Sequence, residues 1–533
     1  MPLPRLVLLT LLAGASFAQE FRATLQGTIT DPSQAVVAGA TATLRNTGTG
    51  VERQAITSDL GHYLFSFVAP GNYTLTVSAP GFKNVVREKI SLSVSQDARL
   101  DLQLEVGAAA ETVTVSSEIS LVQPDSSALG TAVRKDIIEG LPLKGHSSLM
   151  MYNLSTGVVS TRIGEDIRPN DTASNMLTGV NGAPMAAIDV AVDGVPNTVD
   201  LNRGAGLSPW VPSTESVAEF KLQSGTLPAE YGRSGGSFMN VVIKSGSNDL
   251  HGSAYEMLRN AALDANQYFA RGRGQKLAAF GANTFGGSIG GPIVLPKIFN
   301  GRNHSFFYTN FEGSREGNAI DSILTVPTAK MRQGDFSEVS TAIYNPLSVR
   351  TVNGVPTRDP FPGNIVPPSL HDPVGRNIMT YYPEPNRVGP NAASPWIQNF
   401  AFSGKWPRNY NMLVVKTDHY FTEKHHTFVR VNYGTAKLVY PHQFDGVATA
   451  GRDVNLRPHS GIGLNETYMI SPSTTLDVRL GWAGGVERFF PWSDGFDVTK
   501  LGFSNNYKNL LQRSVFPTVA VNGFASLSGS RFQ

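Results

Sequence analysis

Cysteine is absent from all 533 residues of the chain. A disulfide framework and a thiolate metal site are therefore excluded, and the absence suits an exported bacterial protein that crosses an oxidising periplasm. Charged residues are scarce, at 16% of the chain, where soluble domains have roughly 25%. The 44 basic and 42 acidic residues nearly balance, so no strong electrostatic field points to nucleic acid as a partner.

Long apolar runs are also missing. After residue 18, no stretch of the sequence has the roughly eighteen uninterrupted apolar residues that a transmembrane helix needs. Residues 1–18 instead predict a secretory signal peptide, with Arg5 as the positive region, residues 6–12 as the apolar core and residues 16–18 as the cleavage site. The mature chain would then start near Gln19; a buried N-terminal strand is the alternative. An exported chain without such a helix is periplasmic, secreted or an outer-membrane β-barrel.

Catalytic and cofactor motifs are absent from the sequence: no zinc-protease, Walker or Rossmann pattern occurs. Residues 232–236 match the G-x-S-x-G pattern, but the flanks predict a Gly-rich turn and a strand where a nucleophile elbow needs a following helix. His425 and His426 are adjacent, so on a strand they point to opposite faces and do not share a metal easily. Asp189 and Asp193 are interpreted as turn caps or internal hydrogen-bond acceptors. We expect no enzyme activity, no metal and no cofactor.

Residues 21–104 alternate apolar and polar positions between turn signals, which predicts a small β-sandwich. The order resembles carboxypeptidase regulatory-like domains, which implies a carbohydrate-binding-like fold. The matching pieces are Gly27-x-Ile29-x-Asp31, Ala38-Gly39-Ala40, Asp59-x-Gly61-x-Tyr63 and Pro70-Gly71-x-Tyr73. We interpret the tyrosines as core residues, because buried aromatics pack more often than they bind ligands.

A second set of motifs lies between residues 215 and 260. It resembles the plug-to-barrel junction of TonB-dependent outer-membrane transporters of the Oar-like branch. The pieces are residues 229–233 (AEYGR), 244–248 (KSGSN), 251–253 (HGS) and 259–260 (RN), and residues 141–145 (LPLKG) add to them. The resemblance implies an α+β plug domain at 119–245 and the first part of a transmembrane antiparallel β-barrel at 246–533. With the sandwich, the predicted fold is mainly β.

Residues 105–118 read as a linker that ends in a β-prone segment. We call residues 111–115 the box segment; they are Glu111, Thr112, Val113, Thr114 and Val115. The resemblance makes this a candidate TonB box, which would add a strand to the sheet of a TonB-type energy-coupling protein. The alternative is that the segment is simply the first strand of the plug.

From residue 251 the chain has longer alternating segments. In 427–433 and 475–482 one set of alternate residues is mostly apolar and the other includes Arg, Asn or Asp. This pattern is typical of a strand between lipid and a wet lumen, but a soluble sheet with one solvated face has the same alternation. The signal peptide and the junction motifs favour the barrel.

The segment 327–410 is rich in Pro, Gly and Asn and resembles an Oar-like insertion. Long loops of outer-membrane barrels face outside, so we expect it to help capture substrate. Alternation indicates roughly eight to ten strands in residues 251–533, whereas plugs of this family sit in barrels of about 22 strands. We therefore expect the natural protein to continue well past Gln533.

The resulting hypothesis is an N-terminal fragment of a TonB-dependent receptor. It would lie in the Gram-negative outer membrane, in contact with lipid, with sandwich and plug facing the periplasm. Its substrate would be a small molecule, an oligosaccharide or a peptide, taken up when a TonB-type protein moves the plug. The alternative is a secreted or surface multi-domain β-protein that binds carbohydrate through the sandwich.

Overall fold

A computed structural model describes residues 21–107, 112–115, 129–140, 147–160, 178–183, 188–200, 206–224, 227, 237–266, 268, 271, 277, 279–449, 454–471 and 474–528. The predicted signal peptide and the motifs at 141–145, 229–233 and 232–236 lie outside these residues. No helix in the described ranges is long and apolar enough to cross a membrane.

The N-terminal unit is a β-sandwich, as predicted. Its strands are β1 (Ala23–Thr30), β2 (Thr41–Asn46), β3 (Glu52–Ile56), β4 (His62–Val68), β5 (Gly71–Ser78), β6 (Asn84–Leu92), β7 (Asp97–Arg99), β8 (Leu102–Gln103) and β9 (Thr112–Val115). One sheet has the order β4-β1-β7, with β8 also on β1, and the other has the order β3-β2-β5-β6-β9. Every second residue of β1 is buried, so the alternation seen in the sequence builds the core between the sheets.

The motif residues of the sandwich serve its own packing. A Cβ at Gly27 would lie 1.9 Å from the carbonyl oxygen of Leu100, so only glycine allows this approach. The Tyr63 hydroxyl donates to that same carbonyl at 2.6 Å, and the Tyr73 hydroxyl donates to the carbonyl of Ala69 at 2.6 Å. Burial raises the pKa of Tyr73 to about 12, so it stays a neutral donor. The prediction that both tyrosines fill the core is confirmed.

The second unit is the predicted α+β plug. Its strands are β10 (Leu129–Arg134), β11 (Val158–Ser160), β12 (Thr178–Val180), β13 (Ile188–Val192), β14 (Val195–Pro196), β15 (Val199–Asp200), β16 (Gly206–Leu207), β17 (Val217–Ser224) and β18 (Ser237–Ile243). Its helical segments are Lys135–Gly140, Ser148–Leu154 and Thr214–Ser216. The main sheet has the order β10-β17-β18-β13-β14, with β13 parallel to β18. Every residue of β13 and β18 is buried, which matches their nearly continuous apolar sequences.

The third unit is an antiparallel sheet of long strands. They are β19 (His251–Asn260), β20 (Phe280–Pro292), β21 (Val294–Leu295), β22 (Phe299–Asn300), β23 (Ser305–Leu324), β24 (Arg350–Val352), β25 (Val355–Thr357), β26 (Phe400–Thr422), β27 (His425–Val439), β28 (Val454–Ser471), β29 (Thr474–Gly485) and β30 (Arg488–Phe490). The main sheet has the order β19-β20-β23-β26-β27-β28-β29, with β30 on β28. Within the described residues, β19 and β29 are its two edges and do not pair with each other.

The two ends of this sheet differ in their connections. At one end, the short-turn end, β26 joins β27 and β28 joins β29 through two residues each. At the other, the long-loop end, the connections include 325–399 and 486–528. The predicted loop 327–410 therefore ends earlier than expected, because β26 begins at Phe400 and pairs with the distal part of β23.

The long loops pack against one another. Their shared core contains Val326, Phe444, Leu501, Phe516 and Leu527, all buried. Short helical segments occur in these connections, at Ala261–Leu263, Ala329–Arg332, Pro362–Asn364, Pro368–Leu370, Pro373–Met379, Val498–Leu501 and Asn505–Leu510. The connections at the long-loop end thus form a packed cap.

Several long strands carry apolar residues on the outer face and charged residues on the inner face. On β29, Leu480 and Trp482 are 63% and 57% exposed, whereas the side chains of Asp477 and Arg479 are 8% and 7% exposed. Inward-facing Arg430 on β27 is 1% exposed. A soluble sheet does the reverse, because water favours polar groups on the open face. The outer face is therefore suited to lipid, and the soluble alternative for these strands does not fit.

We expect Leu480→Arg, at the centre of β29, to destabilise the natural protein in the membrane by about 2–4 kcal/mol, because the charge would enter hydrocarbon. Heat-modifiable gel migration and urea denaturation would measure the loss. The matched control is Leu60→Arg in the sandwich, where Leu60 is 66% exposed and the expected change is within about 0.5 kcal/mol. Equal losses in the two variants would contradict a lipid-facing β29.

Candidate functional site

The box segment lies at the edge of the sandwich. Residues Thr112–Val115 form β9, which pairs in parallel with β6, Val113 lying opposite Val85. Glu111 is outside the described residues. The second edge of β9 has no strand partner in the part of the chain that the structure describes. The alternative interpretation, a first plug strand, does not match this pairing, since β9 joins the sandwich sheet.

The plug presents a charged turn to the inner wall of the long-stranded sheet. Asp193 and Gly194 connect β13 to β14, and both have positive φ, 49° and 72°. Two successive residues of this kind form the tight hairpin turn that Asp-Gly sequences favour. The turn pairs Val192 with Val195 and directs the Asp193 carboxylate out of the plug.

Asp193 contacts two cations of the wall. Its Oδ1 lies 3.1 Å from Nζ of Lys416 on β26, and its Oδ2 lies 3.2 Å from Nε of Arg430 on β27. The exposed fractions of the three side chains are 0%, 4% and 1%. The Ile243 amide also donates to Oδ1 at 3.1 Å. One buried carboxylate therefore holds two buried cations, each from a different strand of the wall.

Backbone carbonyls of the plug complete this cluster. Lys416 donates to the Ile243 carbonyl at 3.1 Å, and Arg430 donates to the Val192 carbonyl at 3.3 Å. The guanidinium of Arg430 also lies 5.2 Å from the ring centroid of Trp210 in the plug. Because water is excluded, each contact is stronger than at a surface and also costlier to leave unpaired.

Two glycines of the wall make room for the turn. A Cβ at Gly481 would lie 2.3 Å from Cγ1 of Val195, and a Cβ at Gly463 would lie 3.0 Å from its Cγ2. Any larger residue at Gly481 would push the turn away. The position of Asp193 therefore depends on the absence of side chains on the neighbouring strands.

A second contact joins the plug to the first long strands. Oε1 of Glu215 accepts from Lys244 at 3.1 Å, from Ser253 at 2.8 Å and from Ser288 at 2.9 Å. Burial alone raises the pKa of Glu215, but the Lys244 ammonium and the two hydroxyls outweigh it, so this pKa lies below its usual range. Glu215 is thus an anion that binds β19 and β20 to the plug.

His425 and His426 contact different partners. His425 contacts Glu466, and Nε2 of His426 lies 3.5 Å from Oδ1 of Asp418. In the described ranges, no three His, Asp or Glu side chains are grouped so that they could hold a metal ion.

Sequence reasoning found the strand character of β9 and the turn at Asp193, but it missed Lys416 and Arg430. Both occupy inward positions of alternating strands, where a charge needs a counter-charge from whatever fills the lumen. A charged residue at an inward position of an alternating strand is therefore the sequence signal that could have identified Lys416 and Arg430. It identifies the residues that need partners but not the partners themselves.

Two family models match the chain. The model described as an outer membrane beta barrel domain matches residues 242–533. The model described as a carboxypeptidase regulatory-like domain matches residues 24–105.

Among individual proteins, the chain is similar to the TonB-dependent transporter Oar of Myxococcus xanthus, with 26% identity over 322 residues, 58% of this chain and 29% of Oar. Similar solved structures include the outer membrane transporter YddB of Escherichia coli, with 10% identity, a TM-score of 0.40 and coverage of 66% of this chain and 38% of that one. Another is the siderophore receptor PirA of Acinetobacter baumannii, with 11% identity, a TM-score of 0.37 and coverage of 69% and 41%. The chain thus spans less than half the length of each of these relatives.

We expect Asp193→Asn to weaken plug docking by about 3–5 kcal/mol, because Lys416 and Arg430 would stay buried without a counter-charge. Hydrogen exchange of the β13 and β18 amides in the natural protein would report faster plug opening. Adding Lys416→Met should recover part of the loss, since one unpaired cation is removed.

The matched control is Asp494→Asn in the long-loop cap. Asp494 pairs with Arg513 at 2.9 Å, and the two side chains are 53% and 43% exposed. Exposed ion pairs contribute about 0–1 kcal/mol to stability. In the Asp494→Asn variant the plug amides should therefore exchange as fast as in the unchanged protein. If Asp193→Asn and Asp494→Asn behave alike, the buried cluster does not hold the plug.

Proposed function

Because the chain belongs to the family of outer membrane beta barrel domains, we propose that it forms part of a TonB-dependent transporter whose plug is moved by an energised partner. In the outer membrane the short turns of such a barrel face the periplasm and the long loops face outside. The sandwich and its contacts with the plug then lie on the periplasmic side, and the long-loop cap lies on the outside of the cell.

The observation that carries this proposal is the docking of a separate plug on the polar wall by Asp193, Lys416 and Arg430. Separating a buried ion cluster without replacement partners costs several kcal/mol. The resting plug is therefore held firmly, and its displacement requires work from outside. A protein that pulls on the plug supplies such work.

The box segment is the point of attachment. A TonB-type protein would add a strand to residues 111–115, with main-chain hydrogen bonds providing most of the grip. Residues 112–115 already have strand conformation, and their outer edge is unpaired within the described residues. The segment also lies between sandwich and plug in the chain, so a pull reaches both.

Substrate would enter at the cap. The loops of the long-loop end share one core. They therefore present a preformed surface for substrate. A small molecule, an oligosaccharide or a peptide would be bound there and then passed to the space above the plug.

Carbohydrate binding by the sandwich alone has less support. The hydroxyls of Tyr63 and Tyr73 are used by backbone carbonyls of the same domain. Both rings are buried, at 2% and 6% exposure. They stabilise the sandwich and offer no open platform for a sugar ring.

We expect deletion of residues 111–115 from the natural protein to abolish energised uptake while membrane insertion stays intact. Mass spectrometry of the medium would compare depletion of peptides, oligosaccharides and siderophores by cells with and without the deletion. Heat-modifiable migration would confirm insertion. Unchanged depletion in the deletion strain would remove the segment from the mechanism.

A finer pair of variants separates backbone from side-chain effects. Val113→Pro removes a main-chain donor and disfavours strand pairing, so the periplasmic domain of the TonB-type protein should no longer copurify with it. Val113→Thr keeps β-propensity and should copurify normally. Loss in both variants would indicate side-chain recognition instead of strand addition.

A further inference from the structure

The first residues of the described chain join all three units. Phe21 is 4% exposed and packs with Val94 of the sandwich, Val242 of the plug and Phe428 of the barrel wall. The rings of Phe21 and Phe428 meet edge to face, with centroids 6.3 Å apart. If the signal peptide is cleaved near Gln19, Phe21 is among the first residues of the mature protein.

Arg22 adds a buried ion pair with the wall. Its Nη2 lies 2.6 Å from Oδ1 of Asp477 on β29, and the two side chains are 4% and 8% exposed. The guanidinium also lies 4.7 Å from the ring centroid of Phe67 in the sandwich. Asp477 in turn binds Arg479 at 2.9 Å. The sandwich thus supplies a cation to an inward carboxylate of the wall.

Hydrogen bonds connect the sandwich to the plug. The Val94 amide donates to Oε2 of Glu219 at 3.0 Å, and Lys221 donates to the Ser95 carbonyl at 2.6 Å. Both plug residues belong to β17, the second strand of the plug sheet. The turn between β6 and β7 is therefore seated on the plug itself.

The opposite side of the sandwich contacts the plug-to-barrel junction. The Asn248 amide donates to the Gly48 carbonyl at 3.0 Å, and its side chain donates to the Thr49 carbonyl at 2.6 Å. The contacts of the sandwich thus extend from the junction before β19 to β29. Together they cover the short-turn end of the described sheet.

A cavity of about 280 Å³ lies between the three units. The sandwich contributes residues 46–49 and 69–72, the plug contributes Val242 and Ile243, and the wall contributes Lys416. Lys416 is also a partner of Asp193, so the cavity lies next to the cluster that holds the plug. The cavity therefore borders both the sandwich and the cluster that holds the plug.

We propose that the sandwich is a second gate, which closes the periplasmic mouth below the plug and undocks when the box segment is pulled. The proposal rests on the transport function proposed above. Four residue pairs join β9 to β6, and the sandwich has one continuous core, so a pull on β9 acts on the whole sandwich. The sandwich then loses the ion pair of Arg22, the packing of Phe21 and a few hydrogen bonds before the plug moves.

A disulfide trap tests this gate, because the chain has no cysteine of its own. A Cβ at Gly48 would lie 3.8 Å from Cβ of Ser247, which is about the mean Cβ separation in disulfides, roughly 3.8 Å. Gly48 does not have positive φ, so cysteine fits its backbone. The variant is Gly48→Cys with Ser247→Cys in the natural protein.

In cells treated with a mild oxidant, we expect a high disulfide yield when the TonB-type protein is deleted or the proton gradient is collapsed. The yield should fall when the partner is present and energised, because the sandwich is then undocked for part of the time. A control pair, Thr43→Cys with Gln54→Cys, links direct neighbours of β2 and β3 within the sandwich. Its yield should not respond to energisation.

Two results would overturn the gate. If the disulfide yield between positions 48 and 247 is the same with and without energisation, the sandwich stays docked. If the disulfide does not form in resting cells, the sandwich is not docked as described. Copurification with the TonB-type domain keeps the two proposals separate. If the partner binds and the yield does not respond, only the gate fails; if the partner does not bind, the transport proposal fails first.

A second variant tests the residues that seat the sandwich. Phe21→Ala with Arg22→Gln, in the same double-cysteine background, should lower the resting disulfide yield. Arg45→Gln is the control, because the Arg45 side chain is 62% exposed in the sandwich. Equal resting yields in the two variants would remove Phe21 and Arg22 from the docking contact.

Discussion

Hydrocarbon offers neither hydrogen-bond partners nor counter-ions, and the arrangement of the whole chain depends on this constraint. A sheet in such a medium pairs its amides along the strands, points apolar side chains outward and keeps its polar groups on the inner wall. Leu480 and Trp482 lie on the outer face of β29, and Asp477 and Arg479 lie on the inner face. Whatever fills the interior must therefore match a polar and charged surface.

The plug and the sandwich provide this match with charges of opposite sign. The plug brings the carboxylate of Asp193 to the cations Lys416 and Arg430, and the sandwich brings the guanidinium of Arg22 to Asp477. Both contacts are buried, so removing either partner leaves a charge with no solvent to stabilise it. These ion contacts, together with the packing of Phe21 and of the plug core, join the three folded units.

The contacts of the sandwich are few and local, which suits a unit that docks and separates as a rigid body. The sandwich has a core of its own, so breaking the ion pair of Arg22 does not unfold it. The core of the plug also includes Tyr308, Met412 and Val414 of the long strands, so the plug is held by apolar packing as well as by Asp193. The β9 strand is the last strand of the sandwich along the chain, and within the described residues it pairs with β6. A force applied there would act on the sandwich through β6 and on the plug through the following residues.

The sequence alone determined the secondary structure of much of the chain, because a period of two residues reports on the local backbone. It indicated the sandwich, the long strands and the Asp193–Gly194 turn, and it located a β-prone box segment. The same alternation does not distinguish a face toward lipid from a face toward a core, and only the packed sheet decided that. Tertiary structure alone also paired β9 with β6, began β26 at Phe400 and joined Asp193 to Lys416 and Arg430. The two contacts of Asp193 link residues more than 200 positions apart, and their partners depend on how whole units dock, which no local pattern encodes.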